Sequence, residues 1–417
     1  MAQRKKKPNG HQIQSITQAQ HRNEFMRKLK SFVNSIGGED IYSLLPAKIL
    51  ERIYRLRFHS ITIAPAAGTL LSNKLMEEQK HVLSECLKRE TLYLPKYGLK
   101  VLLGDYLTVG LTVFAMYRTI HDNDFSNAAK VRSALLNYCT DKEPYILLHQ
   151  QLFTIFQAIA WGVCKLENDF YWLNYESKLA EKGKFGMNNI VEVNVQVGES
   201  KRIKINGSAR PAIRLGWANP FEGIDWIMLK PSTLKIRSSL FNHPMKVYIQ
   251  SHALLRLAER IDSIEASLAQ YNMYTSFLDA KVNYDSYHNL MVEYRIFGTK
   301  AGYFRIDIVD KVVVVRTFLF LTQSGTPEGQ LLWKNAGLQK LDTNYLAINK
   351  LSSFMSSDIG NNENIRKLFE DSGCQCLLGL YNSVNIICTK RSTQSTTTLL
   401  LEYLGYNEKL IPEEALD

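Results

Sequence analysis

The chain of 417 residues is poor in cysteine, has no long apolar run free of polar interruptions, and carries no acidic cluster suited to Mg²⁺. Its six cysteines, Cys86, Cys139, Cys164, Cys374, Cys376 and Cys388, are few for this length and mostly sit in apolar surroundings, which fits a reducing compartment and no disulfide framework. Cys374 and Cys376 stand only two apart, and Cys388 lacks a second paired cysteine or a nearby histidine. No structural zinc site and no cofactor are expected. The longest apolar stretch, YILLHQQLFTIFQAIAWGVC from Tyr145, has spanning length, but His149, Gln150, Gln151 and Gln157 interrupt it. Unpaired polar groups are costly in lipid, so a buried core helix, no membrane partner and a cytoplasmic location are expected. The start, MAQRKKKPNGHQIQ, is basic with no apolar core behind it. Residues 1–21 are therefore expected to form a solvated, flexible arm rather than a secretory signal.

What the chain does contain is 45% apolar side chains, enough for a sizeable core divided over two or three domains. Fifty-one Lys and Arg stand against 40 Asp and Glu, a net charge of +11 with a pI near 9.2. That excess favours contact with polyanions such as nucleic acid.

The order of patterns predicts an α+β, multi-domain protein. Residues 22–180 carry helical spacing throughout: NEFMRKLKSFVNSIGG places Phe25, Leu29 and Phe32 on one face and stops at a glycine pair. Further helical segments follow, separated by short Gly, Asp, Asn or Pro breaks, so an all-helical bundle is expected. His59, His81, His121 and His149 occur there singly, as structural histidines usually do. Residues 181–244 read as a hairpin of IVEVNVQV and SKRIKING around GES, then a Trp- and Pro-rich connection. Trp217, Phe221 and Trp226 could stack on bases there or pin a loop to the core. Residues 245–334 read as a strand, MKVYIQ, with Ser251 as N-cap of a five-turn helix, HALLRLAERIDSIEASLAQY. A meander of three antiparallel strands, HNLMVEYRIF, YFRIDIVD and VVVVRTFLFLT, follows. Residues 335–417 are expected to add a C-terminal helical extension, including TTTLLLEYLGYNEKL.

Chemistry is concentrated in the central region. At about 100° per residue, His252, Arg256, Arg260, Ser263 and Ser267 fall within an arc of roughly 80°, while Ala253, Leu254, Leu257 and Ile261 form a separate apolar face. His252 lies in the first turn, where the helix dipole disfavours a protonated ring, so a neutral imidazole able to act as a general base is expected. Arg295, Arg305 and Arg316 come one per strand. Arg316 interrupts the most apolar strand and needs either a partner or a substrate. Counting by twos puts Thr322 on the same strand face as Arg316.

A neutral histidine, several arginines and a hydroxyl near a strand end suit metal-independent RNA cleavage. The histidine takes the ribose 2′-hydroxyl proton, and the arginines stabilise charge growing on the phosphoryl oxygens. The stretch from VYIQSHALLRLAERI through VVVVRTFLFLT resembles the barnase, EndoU, colicin and RelE-like group of small ribonuclease toxin domains. The resemblance covers about a fifth of the chain. It implies a toxin or defence effector with RNA as substrate, and a central helix set against an antiparallel sheet. It implies His252, Arg256 and Arg260 on the helix and Thr322 at the strand end as catalytic residues. Arg316 would support them, and Arg295 and Arg305 would bind substrate. The alternative is a basic, non-catalytic protein that docks nucleic acid or a regulatory protein through its N-terminal helical region, with the arginines merely paired to Glu259, Asp262 or Glu265.

Overall fold

The computed structural model describes residues 18–38, 40–163, 169–180, 185–236, 243–339, 342, 346–355, 359–384 and 404, and it is an α+β protein. The described residues of Met1–Ile159 and Leu173–Asn194 form one compact unit, and those of Ala160–Trp172 and Val195–Asp417 form a second. Most of the basic arm, residues 1–17, lies outside the described residues, as do Cys164, Cys388 and, except for residue 404, the C-terminal segment TTTLLLEYLGYNEKL. Among the described residues no helix is long and apolar enough to cross a membrane.

The first unit begins with α1 (Gln18–Gly37), whose Phe25, Leu29, Phe32 and Val33 are buried. Phe32 meets Tyr106 and Tyr138 edge-on at 6.1 and 5.6 Å between ring centres. After α2 (Ala47–Arg55) the chain runs extended as β1 (Thr62–Pro65). Helix α3 (Asn73–Arg89) follows, its first turn capped by Ser72, whose Oγ accepts from the Leu75 amide. Strands β2 (Thr91–Leu94) and β3 (Leu99–Leu102) form a hairpin that turns at Gly98, where φ is 57°. The chain then continues through α4 (Leu103–Asp105), a π-helical turn Tyr106–Gly110 and α5 (Leu111–Thr119). Helices α6 (Ala128–Thr140) and α7 (Glu143–Val163) follow, then β4 (Asp169–Leu179) and β5 (Met187–Val197), of which the end of α7, the start of β4 through Trp172 and the end of β5 from Val195 belong to the second unit. The expectation of a wholly helical region over 22–180 is corrected by these strands. Strand β1 lies parallel to β5, and the sheet order is β1-β5-β4.

One buried amide fastens this unit. Asn189 donates to the His59 carbonyl (2.7 Å) and the Leu107 carbonyl (3.1 Å), while its Oδ1 accepts from Tyr175 (2.7 Å) and Ser177 (3.0 Å). Asn189 is fully buried, so each of these bonds replaces one that water can no longer make.

In the second unit, β6 (Ser200–Ile205) pairs with β7 (Ser208–Arg214) through a turn in which Asn206 and Gly207 have φ of 49° and 83°. An Asn-Gly pair suits such a turn because both positions need positive φ. The expected hairpin between IVEVNVQV and SKRIKING is thereby corrected, since IVEVNVQV belongs to β5 in another sheet. The Trp-rich connection holds β8 (Gly216–Asn219), β9 (Gly223–Trp226) and β10 (Met228–Leu229). Trp217 is buried against Tyr271 at 5.1 Å, and Trp226 packs edge-on to Phe170. These rings pin the connection to the core.

Then come β11 (Met245–Gln250), α8 (Ser251–Arg260), α9 (Ala266–Leu278) and β12 (Val282–Tyr284). The meander follows as β13 (Leu290–Ile296), β14 (Thr299–Val309) and β15 (Val312–Phe320). The main sheet has the order β12-β13-β14-β15-β11-β7-β6, with β11 parallel to β15. Asp310 and Lys311, both at positive φ, make the tight corner before β15. The expected five-turn helix is two helices. Ile261 to Glu265 leave the helical path, and the Asp262 carboxylate accepts from the Ser352 amide (3.0 Å) and hydroxyl (2.9 Å). Ser251 is the first helical residue rather than the cap, a place taken by Gln250.

Helices α10 (Pro327–Ala336), α11 (Glu363–Asp371) and α12 (Gln375–Val384) complete the unit. Leu332, Ile365, Phe369 and Leu377 enter the same buried cluster as Val247, Leu257, Phe304 and Val315. The described part of 335–417 is therefore built into the central core, not appended to it.

Candidate functional site

Helix α8 presents what the sequence singled out. Ala253, Leu254 and Leu257 are buried, which turns His252, Arg256 and Arg260 onto one flank of the helix, each partly exposed. Residues four apart on a helix are neighbours, so the three side chains form a continuous basic edge. Ser263 and Ser267 do not share it, because the helix ends at Arg260 and both serines are buried.

The three candidate carboxylates for these arginines are unequally engaged. Glu259 pairs with Arg256 across one turn at 2.6 Å, a partly exposed ion pair. Asp262 is held by Ser352, and Glu265 stands just before α9. Arg260 forms no ion pair or hydrogen bond with another described residue, and its Nε is buried without an acceptor. Burial and the neighbouring Arg256 charge pull the Arg260 guanidinium below its ordinary pKa, against the weaker pull of Glu259. His252 likewise makes no hydrogen bond with another described residue.

The strand residues are arranged differently. Arg316 has a counter-ion: its guanidinium donates to the Asp307 carboxylate on the adjacent strand at 2.9 Å. Asp307 lies opposite Val314 in the register. Val314 packs with Tyr248, Ala212 and Val312 on one sheet face, whereas Val313 and Val315 join the core of Leu254 and Leu257 on the other. Arg316 with its partner therefore lies on the face turned from α8. Its position next to an apolar residue comes from a register shift between Arg305 and Ile306, which leaves Arg316 as the extra residue of β15. The same shift invalidates counting by twos from Arg316 to Thr322. Thr322 follows the strand, is fully buried, and donates its hydroxyl to the Ile348 carbonyl at 2.6 Å. Arg295 grips Asp279 through two donors at 3.1 Å and also reaches the Asp279 carbonyl. Arg305 pairs across the strands with Met291 and Thr317, and its Nε is buried without an acceptor.

No family model, no curated protein and no solved structure matches the chain. Geometry alone then sorts the candidates. His252, Arg256 and Arg260 come together on α8, while Arg316, Thr322 and Arg295 are committed to partners within the fold. Among the described residues no group of three or more His, Cys, Asp or Glu could hold a metal ion.

Sequence reasoning missed Asp307 as the partner of Arg316. A signal was present: Asp307 and Arg316 flank a two-residue hairpin turn, and opposite charges on paired strands attract.

Proposed function

We propose that the protein binds nucleic acid, with RNA as the favoured ligand, through phosphate contacts along the His252, Arg256 and Arg260 edge of α8. The observation that carries this reading is Arg260, a half-buried guanidinium with no acceptor among the described residues. A buried cation without a partner is costly, and phosphate oxygens match the planar fork of arginine. Arg256 adds charge one turn away, and the net charge of +11 draws polyanions at long range. RNA affinity should fall steeply with salt, and Arg260→Ala with Arg256→Ala should weaken it and flatten the salt slope by about one unit per lost contact. Fluorescence anisotropy on labelled RNA over a salt series measures both; an unchanged slope in the double variant would remove the reading.

A second reading is RNA cleavage with His252 as general acid or base, as the ribonuclease resemblance implies. It is favoured by the open ring nitrogens of His252, beside arginines that would hold the scissile phosphate. Wild-type protein incubated with RNA in EDTA should then cut it, and His252→Ala should not. Equal survival of RNA with both proteins would reduce the function to binding.

A further inference from the structure

The first unit contains a groove that the α8 reading does not use. Two adjoining hollows of about 960 and 440 Å³ share Lys28, Ser60, Lys88 and Thr108 in their walls. Arg57 and Phe58 line the larger one. Across both, four Lys and Arg stand against two carboxylates, Glu24 and Asp105. Both carboxylates are taken by one ammonium, since Lys28 lies 2.9 Å from Glu24 and 2.7 Å from Asp105, while Lys88 and Lys80 make exposed pairs with Glu85 (3.1 Å) and Glu77 (3.5 Å), which do not line the groove.

Arg57 is therefore left without a carboxylate. It is held in place instead: one Nη donates to the Tyr54 carbonyl at 2.7 Å, and the guanidinium lies 3.9 Å from the Tyr54 ring centre. A guanidinium fixed this way in the lining has further donors to offer, and the planar fork of arginine suits phosphate.

The walls are also set in advance. His59, Ser60, Thr108 and Val109 all line the larger hollow, and the buried amide of Asn189 hydrogen-bonds to both the His59 and Leu107 carbonyls, which ties these two segments together. Thr108 and Val109 belong to the π-helical turn, a rare distortion that recurs at functional sites. The turn is possible because Gly110 has no side chain; a Cβ there would come within 2.7 Å of the Tyr106 ring.

We infer that this groove binds a nucleoside phosphate, its phosphates held by Arg57 and Lys88 and its base laid against Phe58. The size agrees, since small-molecule pockets run from about 300 to 1,000 Å³. The partly buried Phe58 in the lining supplies apolar surface that a bare phosphate would not need.

Titration calorimetry of the full chain with ATP, AMP and inorganic pyrophosphate tests this. ATP should bind, with pyrophosphate at least tenfold weaker. Lys88→Glu and Arg57→Gln should each weaken ATP tenfold or more, while Arg260→Ala leaves it unchanged. Lys88 is mostly exposed, so its variant should fold even if the Arg57 variant does not. Absence of ATP binding, pyrophosphate binding as tightly as ATP, or ATP affinity unaffected by Lys88→Glu would overturn the inference. The unaltered response to Arg260→Ala keeps this result separate from that of the α8 edge.

Discussion

The Arg316 guanidinium and the Asp307 carboxylate meet at 2.9 Å across β15 and β14, and this pair accounts for the charge that breaks the most apolar strand of the protein. Both side chains keep about a third or less of their exposure, 32% and 26%, so the pair is partly shielded but still screened by solvent. Asp307→Ala should lower stability by roughly 1 kcal/mol, and the double variant with Arg316→Met by less than the sum of the singles. Denaturant midpoints measure this. RNA affinity should be the same in Arg316→Met and wild type, in contrast to Arg260→Ala.

Thr322 is the second residue moved from chemistry to architecture. Thr322→Val removes the hydroxyl that satisfies the buried Ile348 carbonyl and should cost about 1 to 3 kcal/mol. Thr322→Ser keeps the donor and should recover most of that loss. A catalytic hydroxyl would behave otherwise, with Thr322→Val abolishing any RNA cleavage at unchanged stability.

Asn189→Leu tests the fastening of the first unit. Two carbonyls lose the amide donor at once, while the Tyr175 and Ser177 hydroxyls keep each other as partners, so a loss of about 2 kcal/mol or more is expected. Because Asn189 ties together the His59 and Leu107 segments that line the groove, ATP affinity should fall in the same variant under conditions where it remains folded. Calorimetry after a thermal scan reads both.

A pH-dependent contribution comes from Glu199 and the buried Tyr248, whose phenol donates a hydrogen bond to the Glu199 carboxylate. The bond from Tyr248, with Lys246 and Arg214 nearby, holds the Glu199 carboxyl below its ordinary range, while burial and the Glu199 charge push the Tyr248 phenol up to about 12. A depressed carboxyl contributes stability above its unfolded pKa and loses it as pH falls through the folded value. A raised phenol contributes below its unfolded value near 10 and loses it as pH rises toward about 12. The stability gap between wild type and Tyr248→Phe should therefore be level through neutral pH and shrink in acid and above pH 10. Urea midpoints across that range would show a gap constant to the extremes if the bond contributed nothing.

Local chemistry made much of the second unit legible. The meander could be read because β13 to β15 are rich in β-branched and aromatic residues and are punctuated by Gly298 and by the Asp310–Lys311 corner. The Asn206–Gly207 turn carries an equally clear signal, but GES also reads as a turn, so the sequence pattern points to a hairpin one strand too early. In the first unit, β2 alternates buried Leu92 and Leu94 with exposed Tyr93, a period of two lying between long helices.

By itself the sequence determined the α+β class, the apolar face of α8, and the shared edge of His252, Arg256 and Arg260, because these follow from periodicities of two and 3.6 residues. Only the tertiary structure decided which charges are free. Asp262 is drawn away by Ser352, ninety residues on, and Arg316 is satisfied by Asp307 through a register shift. Arg57 is fixed by Tyr54 in a groove whose His59 and Leu107 segments are tied together by Asn189, more than a hundred residues later. A charge becomes available or spent through partners brought close by folding, and distance along the chain carries no record of that choice.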